Sequence, residues 1–335
     1  MTKIVQEAAP KILAAIQKAN NILLHCHPSP DPDSVGSALA MKFALEQMGK
    51  RATVIGGDSP IPDGFAGFPG VNAIIPKKFS EIDLSEFDLF IIQDAANVEQ
   101  ITRYAALTIP LSIPTVIIDH HRTNPGYGSV NLVCPDYPAT AQLLFDLFKL
   151  WNFKLTHEIA ANLFVGIYAD TGGFKYTGTN PNTFLAAAEL SKAASDFTKI
   201  ISEMENSATP DDIAFQGVAL DHVRQVCDGK IGLSVVSCEE FKSRGIEPRF
   251  VRAGNISSIL KSVKKWPVVG AVLEAEPEKI RVSFRSKDGD LSDVSVLTSK
   301  LGGGGHKAAA GALLTMPLPE AVEKIVSTAK EIYNL

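Results

Sequence analysis

Asn21-Ile22-Leu23-Leu24-His25-Cys26-His27-Pro28-Ser29-Pro30-Asp31-Pro32-Asp33 governs how the rest of the chain is read. It opens as an apolar run, Asn21–Cys26, of strand length. It then crosses a loop of prolines and aspartates and enters the helical stretch Val35–Met48, which stops at Gly49. A buried strand, a polar loop and a helix in that order begin the alternation from which parallel sheets are built.

The alternation continues downstream. Arg51–Ile55, Leu89–Gln93 and Thr115–Asp119 are apolar, β-branched runs of strand length, while Thr140–Leu150 and His157–Tyr168 carry helical periodicity. The reading is α/β: an N-terminal domain over residues 1–190, built on a doubly wound parallel sheet with helices on both faces. In such sheets ligands bind beyond the carboxyl ends of the strands. Pro181–Ser207 reads as helix rich in Ala, Leu and Glu, and Thr209-Pro210-Asp211-Asp212 resembles a helix start, so residues 191–220 are expected to be a helical connector. Ile231–Ser237, Val268–Glu274 and Lys279–Arg285 then read as strands and Leu318–Tyr333 as a terminal helix. Residues 221–335 are accordingly expected to form a smaller C-terminal α/β domain with a mixed sheet.

With 335 residues, 45% hydrophobic and 21% charged, the chain can bury two substantial cores. It has no apolar run of 18 residues, and its first 20 residues read as an amphipathic helix rather than a signal peptide, so no membrane association is expected. Cys26, Cys134, Cys227 and Cys238 form no Cys-x-x-Cys pair, which argues against a structural zinc or a disulfide framework and for a reducing, cytoplasmic setting. A net charge of −5 argues against a grip on long duplex nucleic acid. Small phosphorylated molecules and short oligonucleotides remain, because a local metal site can reverse the field where it matters.

The chemistry sits just after the strand-like runs. His27, Asp31 and Asp33 follow the first, and alternate aspartates there can serve two ions while the prolines limit the entropy lost on binding. Taken singly, either Asp reads better as a helix cap. His25, inside the run, reads as packed. Asp94 ends the run at Gln93 and bridges two ions if it is a ligand, whereas Asp88 reads as solvent-facing. Asp119-His120-His121 places two imidazoles beside a carboxylate, with Asp119 able to orient a ring rather than bind an ion. Asp170 precedes Gly172-Gly173. This oxygen-rich set suits Mn²⁺ or Mg²⁺, and two such ions can activate a water and clamp an in-line displacement at phosphorus. Downstream, Gly302–Gly305 with His306 offers backbone donors to an anion, and Arg285-Ser286 a phosphate partner.

In order and spacing these clusters resemble the DHH phosphoesterases that carry a DHH-associated C-terminal domain. His27 to Ser37 is similar to the first motif, Asp94 the second, Asp119 to His121 the third and Asp170 the fourth. Phe284-Arg285-Ser286 and Gly302 to Gly311 are similar to the motifs of the associated domain. The length is that of the short members, oligoribonucleases and phosphatases of 3′-phosphoadenosine 5′-phosphate (pAp). The resemblance implies two Mn²⁺ ions, with Mg²⁺ as the substitute. His27, Asp31 and Asp94 would hold one; Asp33, Asp94, His120 and Asp170 the other. It further implies His121 on the scissile phosphate, with Asp94, His120 and His121 as the catalytic set. Arg285, Ser286, Gly304, Gly305 and His306 would bind substrate, a metal-bridging hydroxide would attack in a cleft between the domains, and the protein would be a homodimer. Departures lie at Pro32, where many relatives have Gly, at Ala95-Ala96-Asn97 and at Tyr137-Pro138-Ala139-Thr140.

The expected activity is therefore hydrolysis of short oligoribonucleotides, linear dinucleotides or pAp. The same metal core would serve a cyclic-dinucleotide phosphodiesterase, a pyrophosphatase or an exopolyphosphatase. A nucleotide-binding protein without activity is the reading from a different class.

Overall fold

The computed structural model describes residues 2–103, 107, 109, 111–289 and 292–334. The chain folds as two compact units, Met1–Ser207 and Ala208–Leu335. Among the described residues no helix is long and apolar enough to cross a membrane.

The first unit is built on five strands: β1 (Asn21–His25), β2 (Arg51–Ile55), β3 (Leu89–Gln93), β4 (Thr115–Asp119) and β5 (Val130–Val133). They lie in the order β2-β1-β3-β4-β5, every pair parallel. The apolar runs at β1, β3 and β4 are buried along almost their whole length, as strands covered on both faces must be. The six helices are α1 (Lys3–Lys18), α2 (Pro32–Gln47), α3 (Thr140–Leu150), α4 (His157–Asp170), α5 (Pro181–Ala193) and α6 (Phe197–Glu205). All six contribute to the core on one face, where Ile22, Leu24, Ile91, Val116 and Ile118 point. The alternate residues Leu23, Phe90, Ile92 and Ile117 face the other way. There, among the described residues, the cover comes from apolar loop residues and the 3₁₀ turns Phe79–Glu81 and Leu84–Glu86 in place of long helices.

Strand order reverses between β1 and β3, since β1 continues to β2 on one side while β3 leads to β4 on the other. The carboxyl ends of strands flanking such a switch leave a crevice that no connection fills. The loops leaving β1 and β3 carry His27 and Asp94.

The second unit holds α7 (Pro210–Asp221), β6 (Val223–Val226), β7 (Ile231–Val236), α8 (Cys238–Ser243), α9 (Ala253–Leu260), β8 (Val268–Glu276), β9 (Lys279–Ser286), α10 (Val294–Lys300), β10 (Gly304–His306), β11 (Ala309–Thr315) and α11 (Leu318–Tyr333). Its mixed six-stranded sheet runs β10-β11-β9-β8-β7-β6, with β7 and β8 parallel and the other pairs antiparallel. Two apolar clusters fill its core. The glycine run is part of a hairpin: Gly304 and Gly305 pair with Gly311 and Ala310.

Candidate metal centre

Helix α2 begins at Pro32, three residues earlier than the apolar pattern suggests, because proline at the first helical position loses no hydrogen bond. Asp31 is its N-cap, accepting from Ser34 N–H at 2.8 Å, and Asp33 lies in its first turn. The Asp33 side chain reaches α3, where Oδ2 accepts from Thr140 N–H at 2.7 Å and Oδ1 from Ala141 N–H at 2.9 Å. Ala139, the N-cap of α3, has no side chain able to cap it. Asp33 therefore caps α3 from another helix, a carboxylate at the positive end of the helix dipole.

Asp94 follows β3 with φ +58°, a left-handed conformation that aspartate adopts more readily than most residues. It is buried, and Thr140 Oγ1 donates to its Oδ1 at 2.9 Å. Both nitrogens of the His27 ring face oxygen acceptors: Nδ1 is 3.0 Å from Asp31 Oδ2, and Nε2 is 2.5 Å from the Asp94 carbonyl. Only the imidazolium can donate to both. Burial by itself would lower the His27 pKa, but the Asp31 bond and the Asp94 charge outweigh it and push it up to about 10.

His120 Nδ1 donates to the Tyr137 carbonyl at 3.2 Å, which turns Nε2 toward the Asp94 and Asp170 carboxylates. Nε2 is buried and makes no well-formed hydrogen bond, although Asp94 Oδ1 and Asp170 Oδ2 stand 3.4 and 3.2 Å away. His121 is oriented by Asp119, whose Oδ1 accepts from Nδ1 at 2.7 Å. The other Asp119 oxygen accepts from Asn124 Nδ2, also at 2.7 Å. Burial pushes the pKa of Asp33 and Asp170 upward, and the neighbouring Asp94 charge adds to it. Burial works against Asp119 too, but its His121 and Asn124 partners hold it below the ordinary carboxylate range.

His27, Asp31, Asp33, Asp94, His120, His121 and Asp170 are thus brought together at the carboxyl ends of β1, β3 and β4 and the end of α4. Three overlapping groups, His27/Asp31/Asp94, Asp33/His120/Asp170 and Asp94/His120/His121, each hold ligand atoms within 4.8 Å of one another. The residues fit divalent cations on two counts. A buried imidazole nitrogen, His120 Nε2, faces two carboxylates without a well-formed hydrogen bond, and carboxylates with raised pKa values crowd where a positive charge would stabilise them.

His25 is buried elsewhere, its ring edge-on to Phe90 and its Nδ1 donating to the Cys26 carbonyl. Asp88 is exposed and accepts from the Asn20 and Asn21 amides.

In the second unit, Arg285, Gly304 and Gly305 line one pocket of about 450 Å³. Ser286 is buried, and its hydroxyl donates to the Asp288 carbonyl. The His306 side chain lies outside the described part. Sequence reasoning missed Arg252 and Arg281 in the same pocket. Arg281, Ser283 and Arg285 alternate along β9 and so share a face, a period-two signal visible in the sequence. It also missed Thr140 and Asn124.

Residues 21–167 match the DHH family, N-terminal domain, and residues 247–335 the DHHA1 domain. The chain carries both a DHH N-terminal domain and a DHHA1 domain. This DHH protein is 29% identical to the bifunctional oligoribonuclease and PAP phosphatase NrnA of Thermus thermophilus, over 96% of this chain and 93% of that one. It is 26% identical to the Bacillus subtilis protein of the same name, over 90% and 92% of the two chains. An exopolyphosphatase-related protein from Bacteroides fragilis shares the fold, with a TM-score of 0.89 at 22% identity over 100% of this chain and 99% of that one.

Proposed function

We propose that this DHH protein hydrolyses short oligoribonucleotides and pAp with the help of two divalent cations, manganese first among them. The observation that carries the reading is the convergence of seven histidines and aspartates, in three overlapping ligand groups, at the strand-order switch of a parallel sheet. The similarity to the two NrnA proteins supports the substrate class.

His27, Asp31 and Asp94 would hold one ion; Asp33, Asp94, His120 and Asp170 the other. Bound there, the ions would acidify water and neutralise phosphate charge. The chain's own residues do the rest. Asp94, anchored by Thr140, belongs to both ligand sets and fixes their spacing. Asp119 holds His121 in one orientation. Burial opposes a charged His121 ring, but the Asp119 bond and the Asp94 charge raise its pKa, so that it keeps a proton to donate to a phosphoryl oxygen or a leaving alkoxide. In the second unit, Arg252, Arg281 and Arg285 offer planar donors suited to a second phosphate of the substrate. A homodimer and a cytoplasmic location belong to the same proposal, on the family resemblance.

The test is product release with Mn²⁺ from pAp, linear diadenylate, a five-nucleotide RNA, cyclic di-AMP and pyrophosphate. Turnover of pAp and the short RNAs is expected. Turnover of pyrophosphate or cyclic di-AMP alone would overturn the reading.

A further inference from the structure

The metal centre and the arginine pocket carry groups suited to phosphates, and among the described residues neither is lined by a Phe, Tyr or Trp ring. Base recognition needs an exposed aromatic face within a nucleotide's reach of the metal ligands. Among the described residues only two aromatic side chains are highly exposed, Tyr176 at 57% and Phe184 at 54%. Phe184 is stacked on Phe174, with centroids 5.3 Å apart.

Tyr176 is fixed beside the ligands. Asp170 ends α4, and the chain turns immediately: Lys175 and Tyr176 N–H both donate to the Thr171 carbonyl at 2.9 Å. Gly172, Gly173 and Phe174 all take left-handed φ values to make the turn. The phenol end of the Tyr176 ring then lies so close over Gly172 that a Cβ there would fall 2.4 Å from Cζ. Gly172 is two residues from Asp170. An aromatic ring is thereby held against the hydrogen-bonded turn that directly follows the candidate ligand Asp170. Lys175 adds an exposed cation at the same edge.

We propose that the Tyr176 ring stacks on the nucleobase of the substrate and gives this enzyme its preference for nucleotides over simple phosphate esters. The inference rests on the phosphoesterase reading above.

The test compares wild type, Tyr176→Ala and Tyr176→Phe on pAp and on its tetrahydrofuran analogue, which keeps both phosphates and lacks the base. Losing one base–aromatic stack should raise the KM of Tyr176→Ala for pAp about 5- to 150-fold. Its kcat should change little, and the base-free analogue should be handled as by wild type. Tyr176→Phe should behave as wild type. A second readout is 2-aminopurine riboside 3′,5′-bisphosphate, whose fluorescence is quenched on stacking, mixed rapidly with Mn²⁺-loaded protein. The quench should be lost in Tyr176→Ala and kept in Tyr176→Phe. Equal effects on both substrates, or a quench that survives Tyr176→Ala, would overturn the stack. Turnover of pAp indifferent to Tyr176 would sink the stack and leave the phosphoesterase reading standing. A Tyr176-dependent quench in a wild type that turns over neither substrate would do the reverse.

Discussion

Asp94 carries two burdens, one in its backbone and one in its carboxylate, and substitutions separate them. Asparagine tolerates a left-handed φ as aspartate does and can still accept from Thr140, but it brings no charge to the ions. Alanine adds left-handed strain of about 1–2 kcal/mol and strands the buried Thr140 hydroxyl at a cost of about 1–3 kcal/mol. Asp94→Asn relieves carboxylate crowding but gives up the pairing with His27, His120 and His121, and it is expected to unfold in urea, with chelator present, at a higher midpoint than Asp94→Ala. Asp94→Ala should lose about 2 kcal/mol or more. Both should lose at least about 100-fold in turnover of pAp, the upper end of what loss of a mere supporting partner costs. Equal stability of the two variants would remove the backbone burden from this account. At this scale the sequence is legible where residues are chemically conspicuous: adjacent histidines and paired aspartates after buried strands have few structural reasons to be there. Thr140, Asn124 and Ser34 look ordinary in sequence; Thr140 gains its role only when the fold carries α3 to Asp94 and Asp33, and Asn124 only when its loop meets Asp119.

Helices α2 and α4 meet through glycines. A Cβ on Gly36 would stand 2.4 Å from the Asn162 carbonyl oxygen, and one on Gly166 would stand 2.7 Å from Asp33 Oδ1. The close approach seats Asp33 against the first turn of α3 while α4 delivers Asp170 from its far end. Replacing a helical glycine with alanine gains about 1 kcal/mol in propensity. Overpacking against an immovable backbone oxygen costs about 1–3 kcal/mol. Gly36→Ala should thus lose up to about 2 kcal/mol in a urea melt and weaken Mn²⁺ binding by calorimetry, since Asp33 is three residues away on the same helix. Unchanged Mn²⁺ affinity would show that the helix spacing does not set the ligand geometry. Helices α1 to α5 and α11, and strands β1 to β4, are readable because each holds a run of one period, whereas the short helices α8, α9 and α10 escape the reading. β5 and β6 have four residues each, too few for a period to develop. β10 and β11 are rich in glycine and alanine, which have low strand propensity, and the antiparallel partner β9 imposes the strand on β11 from outside.

All seven candidate ligand and phosphate-facing residues of the metal centre lie in the first unit, and each unit has its own apolar core. Cations should therefore stabilise one unit and leave the other to its own packing. Protons compete for the same site, and the signs can be worked out. The His27 pKa in the folded protein lies at about 10, above its unfolded value, with burial overcome by Asp31 and Asp94. Its stabilising contribution is fully present below about pH 6.5 and is lost as pH rises through about 10. The raised pKa values of His120, Asp33 and Asp170 act in the same direction, each lowering stability as pH rises through its folded value. Asp119, with a lowered pKa, acts oppositely and only in acid. A cation takes the place of those protons, so its binding releases them and strengthens with pH. Differential scanning calorimetry should show two transitions, of which Mn²⁺ raises one. At 100 times its dissociation constant the ion adds about 2.7 kcal/mol to that unit, and the gap between Mn²⁺ and chelator should widen from pH 6 to pH 9. A gap that narrows over that range would mean that His27 and His120 do not bind the ion. An equal shift of both transitions would mean that the two units unfold together.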